Sequence, residues 1–265
     1  MTPHSGSYLE RVRHAELDAI RQFFPDRCRI LEIGGGNGYQ AAVLASWGFE
    51  VRSIDVDTEG GWKKRYFDVA RYDGKTLPVA DGTVDVVFSS NVLEHIAEDT
   101  LQALFAEMRR VLATEGFALH LVPTPVWLFC TSLAHYPWLA LRVVRGAPQN
   151  EGIVLPGVAS VVRRRGWTDL IKRALWPAPH GEYPGSFAEL FAFRERAWRK
   201  RFEAGGFSVT HCYPAELFYS GYTLLPCLPM AWRRGLSRLL GSACKVYILK
   251  PTISAGSNDA LPSSR

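Results

Sequence analysis

The stretch that decides the fold is Ile30-Leu31-Glu32-Ile33-Gly34-Gly35-Gly36-Asn37-Gly38, an apolar run that breaks into glycines. Ile30, Leu31 and Ile33 read as the end of a buried parallel strand. Tyr39 to Trp47 (YQAAVLASW), Ala-rich and free of Gly and Pro, reads as a helix. Strand, glycine turn and helix in this order form a nucleotide site, because glycine lets the backbone approach a ligand closely. Gly34, Gly36 and Gly38 stand at alternate positions.

A dinucleotide fingerprint has the spacing G-x-G-x-x-G and sets its pyrophosphate on the helix N-terminus. Here the spacing is G-x-G-x-G, and Tyr39 falls where the third glycine would be. Glu32 stands at the mouth of the strand, two residues before the first glycine. A carboxylate there repels a pyrophosphate but suits a ligand carrying an ammonium and a sulfonium, as S-adenosylmethionine does. A glycine turn with only a packing role is the plain alternative.

Glu50 to Asp57 (EVRSIDVD) alternates and ends in acid, as a second parallel strand should. Asp55 lies 21 residues after Gly34, close to the spacing at which a strand-end carboxylate meets ribose hydroxyls. Asp57 reads as a solvated turn acid. A third strand is expected within Arg65 to Tyr72. Val84 to Ser90 is almost continuously apolar, which fits a central parallel strand buried on both faces. It runs straight into Asn91-Val92-Leu93-Glu94-His95-Ile96.

The segments ILEIGGGNG (30–38), SIDVD (53–57), DGKTLPVADGTVDVVFSSNVLEHI (73–96) and EMRRVLATEGFALHLVP (107–123) together resemble the class I S-adenosylmethionine-dependent methyltransferases, in particular the type 11 domain group. The resemblance covers 30–123 nearly continuously. It implies a Rossmann-like α/β fold, with a seven-stranded, mostly parallel sheet whose last strand is antiparallel, helices on both faces and a helical lid insertion. It also implies that S-adenosylmethionine lies over the carboxyl ends of the strands. Glu32, Gly34, Gly36 and Gly38 would then hold its methionine end, Asp55 its ribose, and Asp73 or Asp68 its adenine amine. Asp73 is favoured because the family pattern places this acid four residues before a Leu-Pro pair, here Leu77-Pro78. Asn91 is expected to face the methionine part. His95 reads either as a base or positioning group at the transfer centre, or as a packed structural histidine.

The remaining chain is read around this core. Leu9, Val12, Leu17, Ile20, Phe23 and Phe24 recur at helical spacings, predicting an N-terminal helix that packs on the sheet or covers the cleft. Glu98 to Leu112 predicts an amphipathic helix and Phe117 to Val122 a fifth strand. Val126 to Val144 is apolar and aromatic, interrupted at His135 and Pro137, and predicts two short lid helices or a surface that touches a membrane rather than a span. The loop WPAPHGEYPGSF (176–187) offers His180, Glu182 and Tyr183 as acceptor contacts, with His180 a candidate base if the acceptor is a hydroxyl; a polar turn is the alternative. Glu189 to Ala204 predicts one helix, Phe207 to Ala215 the sixth strand and Lys245 to Lys250 the seventh. The domains expected are an N-terminal helix (1–29), the cofactor core (30–125), a helical lid (126–206), the last strands (207–250) and a disordered tail (251–265).

Composition sets the outer bounds. With 47% apolar and 22% charged residues the chain is ordinary for a folded domain, and its net charge of +5 is too weak to argue for nucleic-acid binding. The five cysteines form no C-x-x-C pair and no metal spacing, which predicts reduced, buried thiols in a cytoplasmic protein and no metal. No secretory pattern is visible at the start. The expected reaction is methyl transfer to a small-molecule acceptor, at O or N, with peripheral membrane contact through 126–145 as a variant. A silent cofactor-binding scaffold is the competing class; a nicotinamide oxidoreductase is disfavoured by Glu32 and the glycine spacing.

Overall fold

The computed structural model describes residues 8–59, 64–145, 186–221 and 227–252. Seven strands form one sheet: β1 (Arg29–Ile33), β2 (Glu50–Asp55), β3 (Val69–Arg71), β4 (Val84–Ser90), β5 (Leu112–Pro123), β6 (Phe207–Pro214) and β7 (Cys244–Pro251), in the order β3-β2-β1-β4-β5-β7-β6. β1 to β5 pair in parallel, and β7 runs antiparallel to both β5 and β6. This is the mixed sheet the resemblance implied.

The sheet is buried on both faces, so its central strands alternate between two cores. Ile30, Val86 and Phe88 join α1 (Tyr8–Ile20) and α2 (Tyr39–Ser46) in one. Leu31, Ile33 and Val87 join α3 (Glu98–Val111) in the other. On that second face Phe105 packs edge-on against Phe202 and Phe207. Fully burying one such side chain stabilises a fold by roughly 1.5–3 kcal/mol, so the run Val84 to Ser90 must be central.

Three expectations need correction. The stretch after β5 is one helix, α4 (Pro125–Arg145), which continues through Pro137 instead of dividing there. Proline lacks the amide that would close the turn, yet the helix runs on to Arg145. Glu189 to Ala204 divides into α5 (Ser186–Ala192) and α6 (Glu195–Ala204), because the chain turns at Phe193-Arg194 to bury Phe193. β5 begins at Leu112, five residues earlier than its apolar run suggests. A last helix, α7 (Met230–Leu240), precedes β7.

The middle of the expected lid, with His180, Glu182 and Tyr183, and the tail from 253 lie outside the described residues; Pro251 itself belongs to β7. All five cysteines are free, but Cys227 is exposed and Cys130 and Cys212 are partly so, against the expectation of buried thiols throughout. No helix among the described residues is long and apolar enough to cross a membrane.

Candidate active site

The strand order reverses between β1 and β4: the chain leaves β1 towards β2 on one side, and β4 opens the other half of the sheet. Crevices at the carboxyl ends of strands form at such a switch point. The glycine loop follows β1 and Asn91 follows β4, so topology alone brings the two stretches together. Gly34 shows how close they come: a Cβ placed there would meet a Val92 methyl carbon at 2.3 Å.

Around the loop the backbone amides are spent inside the protein. Gly34 and Gly35 both donate to the Ile54 carbonyl, at 2.8 and 3.1 Å, and Gly38 donates to Gly35 O at 2.8 Å. The Gly36 amide donates to Asp55 Oδ2 at 2.8 Å, and the Asp57 amide to Asp55 Oδ1 at 3.1 Å. No row of amides is left to cradle a diphosphate. What the loop presents instead is a carboxylate, Asp55, pinned to the middle of the glycines with lone pairs to spare for hydroxyl donors.

Glu32 lies beneath the loop, not at its mouth. It is buried, pairs in register with Ser53 across β1 and β2, and accepts the Ser53 hydroxyl at 2.5 Å. Burial, against the Ser53 hydrogen bond and aided by the Asp55 charge, pushes its carboxyl up to about 7. Two expected ligand-facing glycines also have structural partners: Val92 fills the space over Gly34, and the Phe67 backbone that over Gly38, 2.7–2.8 Å from where a Cβ would sit. Gly35, which sequence reading passed over, is equally obligatory, since a Cβ there would fall 1.9 Å from Ser53 Oγ. Positive φ at Gly34, Gly36 and Gly38 supports the same requirement.

Asp73 follows β3 and is exposed; its Oδ1 accepts the amides of Thr76 and Lys75 at 2.8 Å, which hold the carboxyl below the usual range. The turn it makes lies beside the end of β2. Gly74 sits against Val56, and the Tyr72 amide donates to Asp55 O at 3.1 Å. Asp68, just before β3, is exposed too. Asn91 takes a left-handed backbone (φ 56), and its Nδ2 donates to Ser90 Oγ at 3.0 Å. The Cys244 thiol donates to Asn91 Oδ1 at 3.3 Å. His95 ends a short 3-10 turn, Leu93–His95, with its side chain 38% exposed and its Nε2 3.8 Å from Glu94 Oε1.

α1 lies across this end of the sheet. Tyr66 OH donates to Glu10 at 2.5 Å, Tyr39 OH meets His14 Nδ1 at 3.4 Å, and the two tyrosine rings pack edge-on. The N-terminal helix thus reaches both sides of the glycine loop. A surface cavity of about 360 Å³ lined by Arg21, Phe24, Asp26, Arg27, Trp47 and Phe49 lies at the opposite end, where β1 and β2 begin. No cluster suited to a metal ion occurs among the described residues.

Residues 31–120 match a family described as "Methyltransferase domain". Over those residues the chain is similar to a class of methyltransferase domains. S-adenosylmethionine is the cofactor of that class. An uncharacterized methyltransferase of Mycobacterium sp. (strain JLS) is 37% identical to this chain over 114 residues, covering 42% of the chain and 44% of the relative. Another from Mycobacterium avium (strain 104) is 37% identical over 128 residues, covering 45% and 46%. The chain thus spans less than half the length of these relatives. A solved SAM-dependent methyltransferase from Archaeoglobus fulgidus is 19% identical, covers 92% of this chain and 95% of its own, and has a TM-score of 0.49.

Proposed function

We propose that the chain transfers a methyl group from S-adenosylmethionine to a small-molecule acceptor, at oxygen or nitrogen, by in-line displacement. The observation that carries this reading is the loop whose amides are consumed internally while its centre and underside carry Asp55 and Glu32. Such a surface rejects a diphosphate and receives a nucleoside attached to a cation. Asp55 accepts the ribose hydroxyls, Glu32 and the loop favour the positively charged methionine end, and the Asp73 turn borders the adenine. Asn91, which follows β4, is assigned to the methionine part of the donor.

When bound, the donor supplies an activated methyl on a sulfonium. The protein's part is to hold donor and nucleophile in line and keep water out, which is where most of the acceleration in such a displacement comes from. α1, tied to Tyr39 and Tyr66, covers the loop for this purpose. Calorimetric titration with S-adenosylmethionine, followed by turnover with methyl-labelled donor, separates an enzyme from a scaffold that only binds.

A membrane-held acceptor is a second reading. On α4, Phe129, Leu133 and Tyr136 recur at helical spacing and are 59%, 54% and 45% exposed, forming an apolar stripe on the helix that follows β5. Sedimentation of the protein with lipid vesicles supports this reading, and a protein that stays in the supernatant opposes it.

A further inference from the structure

A surface helix ordinarily turns its apolar stripe to the core and its polar side to water. α7 is inverted. Its buried positions are Arg233 and Ser237, four residues apart. Arg233 Nε donates to Leu228 O at 3.3 Å and Nη1 to Phe218 O at 3.4 Å, and the guanidinium lies 4.9 Å from the centroid of the Tyr8 ring. The Ser237 hydroxyl donates to Arg234 O at 2.8 Å. With the polar side engaged by the protein, the apolar side is left outward. Trp232, Leu236, Leu239 and Leu240 recur at i, i+4, i+7 and i+8, and Trp232, Leu239 and Leu240 are 68%, 82% and 49% exposed.

Both ends of the helix are fixed. The Phe218 amide donates to Arg233 O at 3.2 Å, and Gly241, just past the last turn, sits where a Cβ would meet Val126 Cγ2 of α4 at 2.9 Å. The stripe is therefore presented by a helix already in place, which lowers the ordering cost of binding.

An exposed apolar stripe of this kind marks an interaction surface, and its charges say which. Arg234 and Arg238, again four apart, are both exposed, and Leu217 to Asn258 contains no aspartate or glutamate. Tryptophan and leucine accompanied only by cations is the make-up of a helix that lies in the plane of an anionic bilayer. The apolar side chains enter the acyl boundary while the long arginine stems keep their charge among the headgroup phosphates. A second copy of the chain fits less well, since pairing two such stripes brings arginines of like sign together. We propose that α7 docks the protein on the surface of an anionic lipid bilayer, with Trp232 and Leu239 inserted and Arg234 and Arg238 on the headgroups. The proposal goes beyond the methyltransferase reading, uses none of the residues assigned to the donor, and is separate from the α4 stripe.

The test sediments the full chain with vesicles of phosphatidylcholine alone and of phosphatidylcholine mixed with phosphatidylglycerol. Wild type is expected to pellet with the anionic vesicles and stay in the supernatant with the neutral ones, and added salt should weaken the binding. Trp232→Ser and Leu239→Ser should each bind about tenfold or more weakly, and Arg234→Gln and Arg238→Gln each about fivefold. All four side chains are exposed, so Tm and S-adenosylmethionine binding should stay at wild-type values. The proposal is overturned if wild type ignores the anionic vesicles or binds the neutral ones equally well. It is also overturned if binding survives the α7 substitutions and is lost in Phe129→Ser, which places the contact on α4. A lower Tm in Trp232→Ser, or a dimer that this substitution splits, would show the face covered by the chain itself or by a second copy, and overturns it too. A wild type that does not bind S-adenosylmethionine strikes the methyltransferase reading and leaves this one standing.

Discussion

At the scale of single residues, Asp55 joins the sheet to the cofactor loop. It accepts two backbone amides, so Asp55→Asn turns one acceptor into a donor facing a donor. We expect a loss of about 1–3 kcal/mol in stability, measured by denaturant unfolding, together with at least tenfold weaker S-adenosylmethionine binding. Gly38 gives a cleaner structural test. Gly38→Ala must hold φ near 77° and push a methyl group onto the Phe67 backbone. It should cost more than the roughly 1–2 kcal/mol of the left-handed conformation alone, whereas Gly48→Ala, with open space at its Cβ, should cost only the strain of its positive φ.

The buried titratable groups predict a pH dependence of stability. Glu32 and Glu94 hold their protons to about pH 7 and 8, above the unfolded value of 4.5, so their contribution is full below pH 4.5 and is lost progressively as pH rises from there to about 7 and 8. His120, buried against Ser89 and lowered to about 3, acts in the opposite sense: its contribution is lost as pH falls from 6.5 towards 3. Through these groups Tm should therefore pass through a maximum near pH 4.5, where the two glutamates begin to outweigh His120, and decline towards pH 8. Glu32→Gln and Glu94→Met should each flatten that decline; a Tm that rises steadily to pH 8 would contradict these assignments.

At the scale of elements, what could be read from sequence was whatever local pattern decides. Val84 to Ser90 is apolar from Val86 to Phe88, with Asp85 its one charged residue, and its bounds were legible; so was the acid at the end of β2, because strand and glycine turn fix its distance along the chain. α4 was misread because proline is a strong local signal, whereas the helix continues past Pro137 to Arg145. The break at Phe193-Arg194 has no Gly or Pro to announce it; only the pocket that receives Phe193 explains it. α4 offers its own test. Pro137 is exposed within the helix, and an interior proline costs about 3 kcal/mol in an isolated helix. Pro137→Ala should raise helical circular dichroism and Tm, and leave S-adenosylmethionine affinity unchanged.

Across the whole molecule, the site is a product of strand order. The glycines, Asp55 and Asn91 stand at strand ends along the same edge, which local pattern reveals; that Glu32 lies buried beneath the loop against Ser53 was not legible, because only the pairing of β1 with β2 places it there. Glu16, Glu94 and Tyr219 were not: a glutamate beside apolar helix positions reads as solvated, and only the packing of α1, α5 and β7 over β4 buries it. The same packing puts the N-terminal helix over the glycine loop. The most direct measurement of the central claim is calorimetric titration of the purified chain with S-adenosylmethionine and, separately, with NAD. The account predicts one molecule of S-adenosylmethionine bound per chain, weakened by Asp55→Asn, and no heat with NAD. Binding of NAD with indifference to S-adenosylmethionine would contradict it.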